Sequence, residues 1–116
     1  LVKDMKVPPI TIPEAEEEFE VKAPAYFIEA AKISPVLWLA HPKIQAAIAD
    51  FCFNLGIARY RGSTLRKRVD AQDWGGVQAE LPKWVFGGGK KLPGLVARRA
   101  EEARLVREAA AGLTDD

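Results

Sequence analysis

An all-α domain is what this sequence predicts, and three features predict it. Residues 41–58, HPKIQAAIADFCFNLGIA, hold apolar residues at helical spacing over most of a helix circumference. Apolar residues recur at the same period in several later segments, each opened or closed by a capping residue, Gly or Pro. No segment shows period-2 alternation with turn residues at hairpin spacing. The expectation is five or six helices around a buried central helix at about 42–57.

In that central helix, Ile44, Ala47, Ile48, Phe51, Cys52 and Leu55 share one face, and Ala46, Ala49, Phe53 and Ile57 widen it. Only Lys43, Gln45, Asp50 and Asn54 are polar. Pro42 suits the first helical position, where its missing N–H has no partner to lose. Gly56 marks the end, and the basic segment after it loses the pattern. Asn54 is the odd residue, an amide between Phe53 and Leu55 that costs about 1–3 kcal/mol if it is buried unbonded.

The other elements follow in chain order. Pro8-Pro9 forbid a helix in residues 1–10, which read as an extended arm or linker. The domain proper is expected over 11–112, with 113–116 a frayed tail. Thr11 and Glu14 form a capping box, and Glu14, Glu16, Glu17 and Glu18 crowd the first turns, where the helix dipole favours negative charge. Ala15 and Phe19 supply its inward stripe. Pro24 predicts a kinked helix or two helices in series up to Ile33. Ser34-Pro35 ends that segment, and 36–40 is an apolar bridge carrying Trp38. Ser63 caps a short helix from Thr64 to Ala71, and Asp73 caps another from Trp74 to about Phe86, bent at Pro82. Gly87-Gly88-Gly89 reads as a flexible break; GGGKK lacks the spacing of a phosphate-binding loop. Pro93-Gly94 opens the last helix, Leu95 to about Ala111.

Composition excludes several functions. The 116 residues are 48% hydrophobic and 28% charged, with net charge +1, which suits one globular domain and gives no global pull toward nucleic acid. Five basic residues at 59–68 form a local run, but no helix presents base-reading side chains, so nucleic acid is not an expected partner. One Cys and one His, Cys52 and His41, are too few for a zinc site. No apolar run reaches the ~20 residues that span a bilayer, so membrane insertion is not expected.

Three patches, FCFNLG at 51–56, RGSTLRKRVDAQDWGG at 61–76 and KWVFGGGKKLPGLVARRAEEARL at 83–105, carry a resemblance. The last holds Trp-x-x-Gly-Gly and Leu-Pro-Gly-Leu-x-x-Arg-Arg-x-x-Glu elements. In this order, the sequence from about Thr11 to Leu105 resembles the C-terminal helical lobe of phage-type lysozymes, the glycoside hydrolase family 24 endolysins. The resemblance implies a lysozyme-like helical lobe, with no cofactor and no metal.

The family's N-terminal signature, Glu-x8-Asp/Cys-x5-Thr on a first helix and small hairpin, has no counterpart here. The chain reads as beginning after that hairpin, a cut or processed piece, and no catalytic residue is assigned within it. Glycosidic hydrolysis needs a proton-donating carboxyl and a second group flanking the bond at about 5–9.5 Å. Without the first, the lobe supplies one wall of a cleft.

On that wall the resemblance places Asn54, facing the catalytic carboxyl or a sugar, or else bonded to backbone near Gly56. Arg98 and Arg99 resemble the family's pair that packs on the first helix and holds one of its carboxylates; a solvated face is the plain alternative. Ser63 and Thr64 are cleft candidates as well as cap residues. Trp84 is either core or a sugar platform, and the glycine run either a hinge or a close backbone approach to substrate.

The function implied is that of a muramidase cutting the β-1,4 bond between N-acetylmuramic acid and N-acetylglucosamine, weakened or silenced here for want of the acid. The alternative is a non-catalytic peptidoglycan-binding module. The partners expected are peptidoglycan glycan strands and either a missing N-terminal fragment or a second copy covering the exposed faces. Synthesis in the host cytoplasm and action in the periplasm complete the expectation.

Overall fold

The core is organised by one helix whose neighbours all pack against it or against each other. A computed structural model describes residues 16–112; the expected arm, the Thr11–Glu14 cap and the tail lie outside the described residues. The elements run α1 (Glu16–Ile33), a 3₁₀ turn (Pro35–Leu39), α2 (Pro42–Leu55), α3 (Ile57–Arg61), α4 (Thr64–Asp70), α5 (Trp74–Glu80), a second 3₁₀ turn (Leu81–Lys83), β1 (Phe86–Gly87), β2 (Lys90–Lys91) and α6 (Pro93–Ala110). The described residues are predominantly helical, as the periodicity predicts.

Helix α2 is the centre. His41 caps it, its Nδ1 accepting from the Lys43 N–H at 3.0 Å, and Pro42 takes the first position. Every residue from Ala46 to Cys52 is buried. Helices α1 and α6 flank it. Gly56 ends it at φ 102°, a left-handed conformation that suits a residue without Cβ, and turns the chain into the short α3. That helix lies in the basic segment where the apolar pattern fades, held because Tyr60 is fully buried at its core side.

Two prolines behave differently. Helix α1 runs as one helix through Pro24, in place of two helices in series. Ala23 before the proline and Phe27, Ala30 and Ala31 after it are all buried, and α1 packs along α2. Tertiary packing on both sides outweighs the roughly 3 kcal/mol that proline costs a helix. Pro82, by contrast, shortens α5, which was expected to reach Phe86. It has no N–H to continue the ladder, and the chain tightens into the 3₁₀ turn.

The glycine run is not a plain break. Phe86 pairs with Lys91 and Gly87 with Lys90 in an antiparallel hairpin. Gly88 and Gly89 form its two-residue turn at φ 59° and 80°, the double positive φ of a type I′ turn.

Cys52 is fully enclosed on α2, and burial pushes its thiol far above the ordinary range. We expect it to resist a thiol reagent in the native chain and to react fully in denaturant. Rapid native labelling would show that α2 opens to solvent.

Candidate functional site

On α2, Asp50, Phe53 and Asn54 stand at i, i+3 and i+4, so they share one face near the helix end. That face meets α6. The Arg98 guanidinium reaches across to Asp50, its Nη2 donating to Oδ1 and its Nε lying 3.4 Å from Oδ2. It also lies 5.8 Å from the Phe53 ring centroid, a cation–π contact. Tyr26 of α1 closes the far side of Phe53, edge-on at 5.6 Å.

A second buried pair sits beside the first. Arg99 donates to Glu102 through Nε at 2.7 Å and Nη2 at 2.6 Å, and through Nη1 to the Trp84 carbonyl at 3.3 Å. Its guanidinium lies 5.2 Å from the Phe51 ring. Arg99 is 1% exposed and Glu102 0%, so this pair is sealed in the core. The Asp50 carboxyl lies beside Glu102, which brings both pairs together between α2 and α6. Burial and that Asp50 contact push the Glu102 carboxyl well above its ordinary range, against the opposing pull of Arg99.

Asp50 and Glu102 are therefore two adjacent carboxyls, but they are not a hydrolytic pair. Both are fully buried and engaged by arginines, so neither reaches a glycosidic oxygen. They brace the wall that carries Asn54. Further along α6, Arg104 pairs with Glu101 and Glu108, and Lys43 of α2 reaches Glu108 at 2.8 Å, pinning the helices together again. Lys43, then Arg104, holds the Glu108 carboxyl below the usual range.

The expected site residues divide. Asn54 lies at the end of α2, and its Oδ1 is buried with no hydrogen-bond partner among the described residues. Its Nδ2 donates to no backbone carbonyl near Gly56 among the described residues. Arg98 stands on the same wall. Arg98 and Arg99 are both buried, which rules out the solvated face for each, and Arg99 faces the core. Ser63 is buried and its hydroxyl is occupied, accepting from the Arg66 N–H at 3.0 Å and donating to the Tyr60 carbonyl at 2.7 Å, so it caps α4. Thr64 is exposed at the first position of α4. Trp84 is half-buried, edge-on to Phe51 at 5.5 Å, and so belongs to the core. Asp50 and Glu102 were not singled out from the sequence. The available signals were a lone acid on an otherwise apolar helix and a Glu three residues after Arg99.

The family model described as Phage lysozyme matches residues 3–102. The chain belongs to the phage lysozyme family. Among its relatives in that family is the SAR-endolysin of Escherichia phage Mu, 39% identical over 61 residues, 53% of this chain and 36% of that protein. The SAR-endolysin of Enterobacteria phage P21 is 30% identical over 77 residues, 66% of this chain and 47% of the relative. The endolysin of Bacillus phage PZA is 37% identical over 59 residues, 51% of this chain and 23% of the relative. The matched stretches span less than half the length of each of these phage lysozyme relatives.

Proposed function

We propose that this chain is the helical lobe of a peptidoglycan-cleaving muramidase acting on the β-1,4 bond between N-acetylmuramic acid and N-acetylglucosamine. The observation that carries the reading is the family match over residues 3–102. Asn54 is the residue we assign to the glycan. The residue is half-buried at the end of α2, and a turn of its amide would bring the unbonded Oδ1 out to a sugar hydroxyl or amide N–H, making a hydrogen bond that the lobe alone leaves unmade. Arg98 and Thr64 flank the glycan path, while Ser63 and Arg99 keep the wall rigid from behind. The residue that protonates the leaving oxygen is not among these 116, since the Glu-x8-Asp/Cys-x5-Thr pattern is absent from them. Synthesis in the host cytoplasm and action on the periplasmic wall fit the reading. No helix among the described residues is long and apolar enough to cross a membrane. The missing pattern favours a second reading, a module that holds peptidoglycan without cutting it.

Clearing of chloroform-treated Gram-negative cells by the purified chain, with release of reducing ends, tests both readings. We expect no clearing by the chain alone, retention on isolated sacculi, and clearing once a peptide carrying the family's N-terminal signature is supplied. Retention without rescue selects the binding module, and no retention sinks both. Asn54→Ala should weaken sacculus retention by about tenfold without lowering the thermal midpoint, because it deletes an unbonded buried carbonyl. Undiminished retention would remove Asn54 from the glycan site.

A further inference from the structure

The first 3₁₀ turn holds two large apolar side chains out in solvent. Leu39 is 90% exposed and Trp38 51%. The turn that carries them is firmly anchored. Leu37 is fully buried, Gln45 Nε2 donates to the Leu37 carbonyl at 2.8 Å, and the Trp38 ring rests edge-on against Phe27 at 5.0 Å. Ser34, just before the turn, shares a buried 2.8 Å hydrogen bond with the Tyr60 hydroxyl of α3.

That hydrogen bond brings the basic segment alongside. Tyr60 points into the core, while Arg59 and Arg61 on either side of it are exposed. Helix α4 packs against the same 3₁₀ turn and exposes Lys67. The nearby acids are engaged, Asp70 by Arg66 at 3.0 Å and Asp73 by Arg68 at 3.3 Å. Arg59, Arg61 and Lys67 have no carboxylate partner among the described residues.

A rigid Trp-Leu pair at the same end of the lobe as two uncompensated arginines matches the boundary layer of an anionic bilayer. Tryptophan favours the headgroup level, an aliphatic side chain enters beneath it, and each arginine or lysine gains from the negative surface potential. A bare polyanion would use the cations and leave Leu39 in water. We propose that this end of the lobe docks peripherally on an anionic phospholipid surface, with Leu39 and Trp38 at the headgroup–acyl boundary and Arg59 and Arg61 over lipid phosphates. No helix inserts. The proposal rests on the exposure and charge at this turn and not on the glycan reading.

The test is co-sedimentation of the 116-residue chain with vesicles of phosphatidylcholine alone or mixed with an equal part of phosphatidylglycerol. We expect binding to the mixed vesicles only, falling with salt. Leu39→Ser should weaken it roughly tenfold, and Arg59→Gln or Arg61→Gln roughly fivefold each. Leu39 is on the surface, so its variant should keep the wild-type thermal midpoint. Bromine-labelled acyl chains should quench the bound chain's fluorescence, and Trp38→Phe should abolish that quenching. No binding to the mixed vesicles overturns the proposal. So does binding that Leu39→Ser leaves unchanged and duplex DNA reproduces, which would mark a bare polyanion surface. Self-association abolished by Leu39→Ser, without vesicle binding, overturns it in favour of a second copy.

Discussion

Replacing Glu102 with alanine is expected to lower stability by about 3–5 kcal/mol, because it leaves the Arg99 cation sealed in the core with only the Trp84 carbonyl for a partner. For a domain of this size that is a fall in thermal midpoint of at least about 12 °C. Glu102→Gln is the informative companion. Its amide oxygen still accepts from Arg99 and it puts no second charge beside Asp50, so it should cost far less near neutral pH. It also removes a titration. The folded-state pKa of Glu102 lies well above the ordinary 4.5, so the folded chain binds more protons than the unfolded chain above that value. Stability from this group is greatest at low pH and falls as pH climbs from the ordinary glutamate range through the folded value. Urea midpoints measured across that range should slope downward in the wild type and less so in Glu102→Gln. Equal slopes would show that Glu102 is ionised throughout. The Glu108 carboxyl, held low by Lys43 and Arg104, works in the opposite direction as its range is crossed from above.

Phe51→Ala should be about as damaging, at roughly 3–5 kcal/mol by urea unfolding, for a different reason. Phe51 is fully enclosed at the middle of α2, edge-on to Tyr60 at 6.3 Å and to Trp84 at 5.5 Å, with the Arg99 guanidinium 5.2 Å from its ring. Alanine opens a cavity between α2, α3 and the segment after α5 and removes the π face that the arginine rests against. Typical domains hold only about 5–15 kcal/mol, so this variant should be populated partly unfolded on mild warming. Phe51→Leu retains most of the volume and should cost less than half as much. A loss below about 1 kcal/mol for alanine would mean that the surrounding helices collapse freely onto α2.

Much of this architecture is legible in local sequence because its signals are local. Pro42 and Gly56 bracket α2, Ser63 and Asp73 cap α4 and α5, and the 3.6-residue period assigns the buried face. Elements that depend on distant packing are not legible in the same way. Pro24 reads as a break until the burial on both sides of it is known. The two-residue strands are too short to alternate, although Gly88-Gly89 carries the chemistry of a hairpin turn. For the site, Asn54 was conspicuous as an amide in an apolar run, and the structure leaves its Oδ1 unbonded. Arg98 and Arg99 were visible as a pair but not their division of labour, because Asp50 lies 48 residues before Arg98. Adjacent residues on a helix point about 100° apart, which sends one arginine toward Asp50 and the other toward Glu102.

The distance along the chain between Asp50 and Arg98 also governs how this protein emerges from a ribosome. When α2 has just been made, its most apolar stretch carries a carboxylate whose partner is not yet translated. Burying Asp50 at that moment would strand a charge in the core, so α1 and α2 can touch but cannot seal. Closure waits for α6. Emergence of α6 and completion of this core thus become nearly one event, and a product lacking α6 would be left open to the host's proteases.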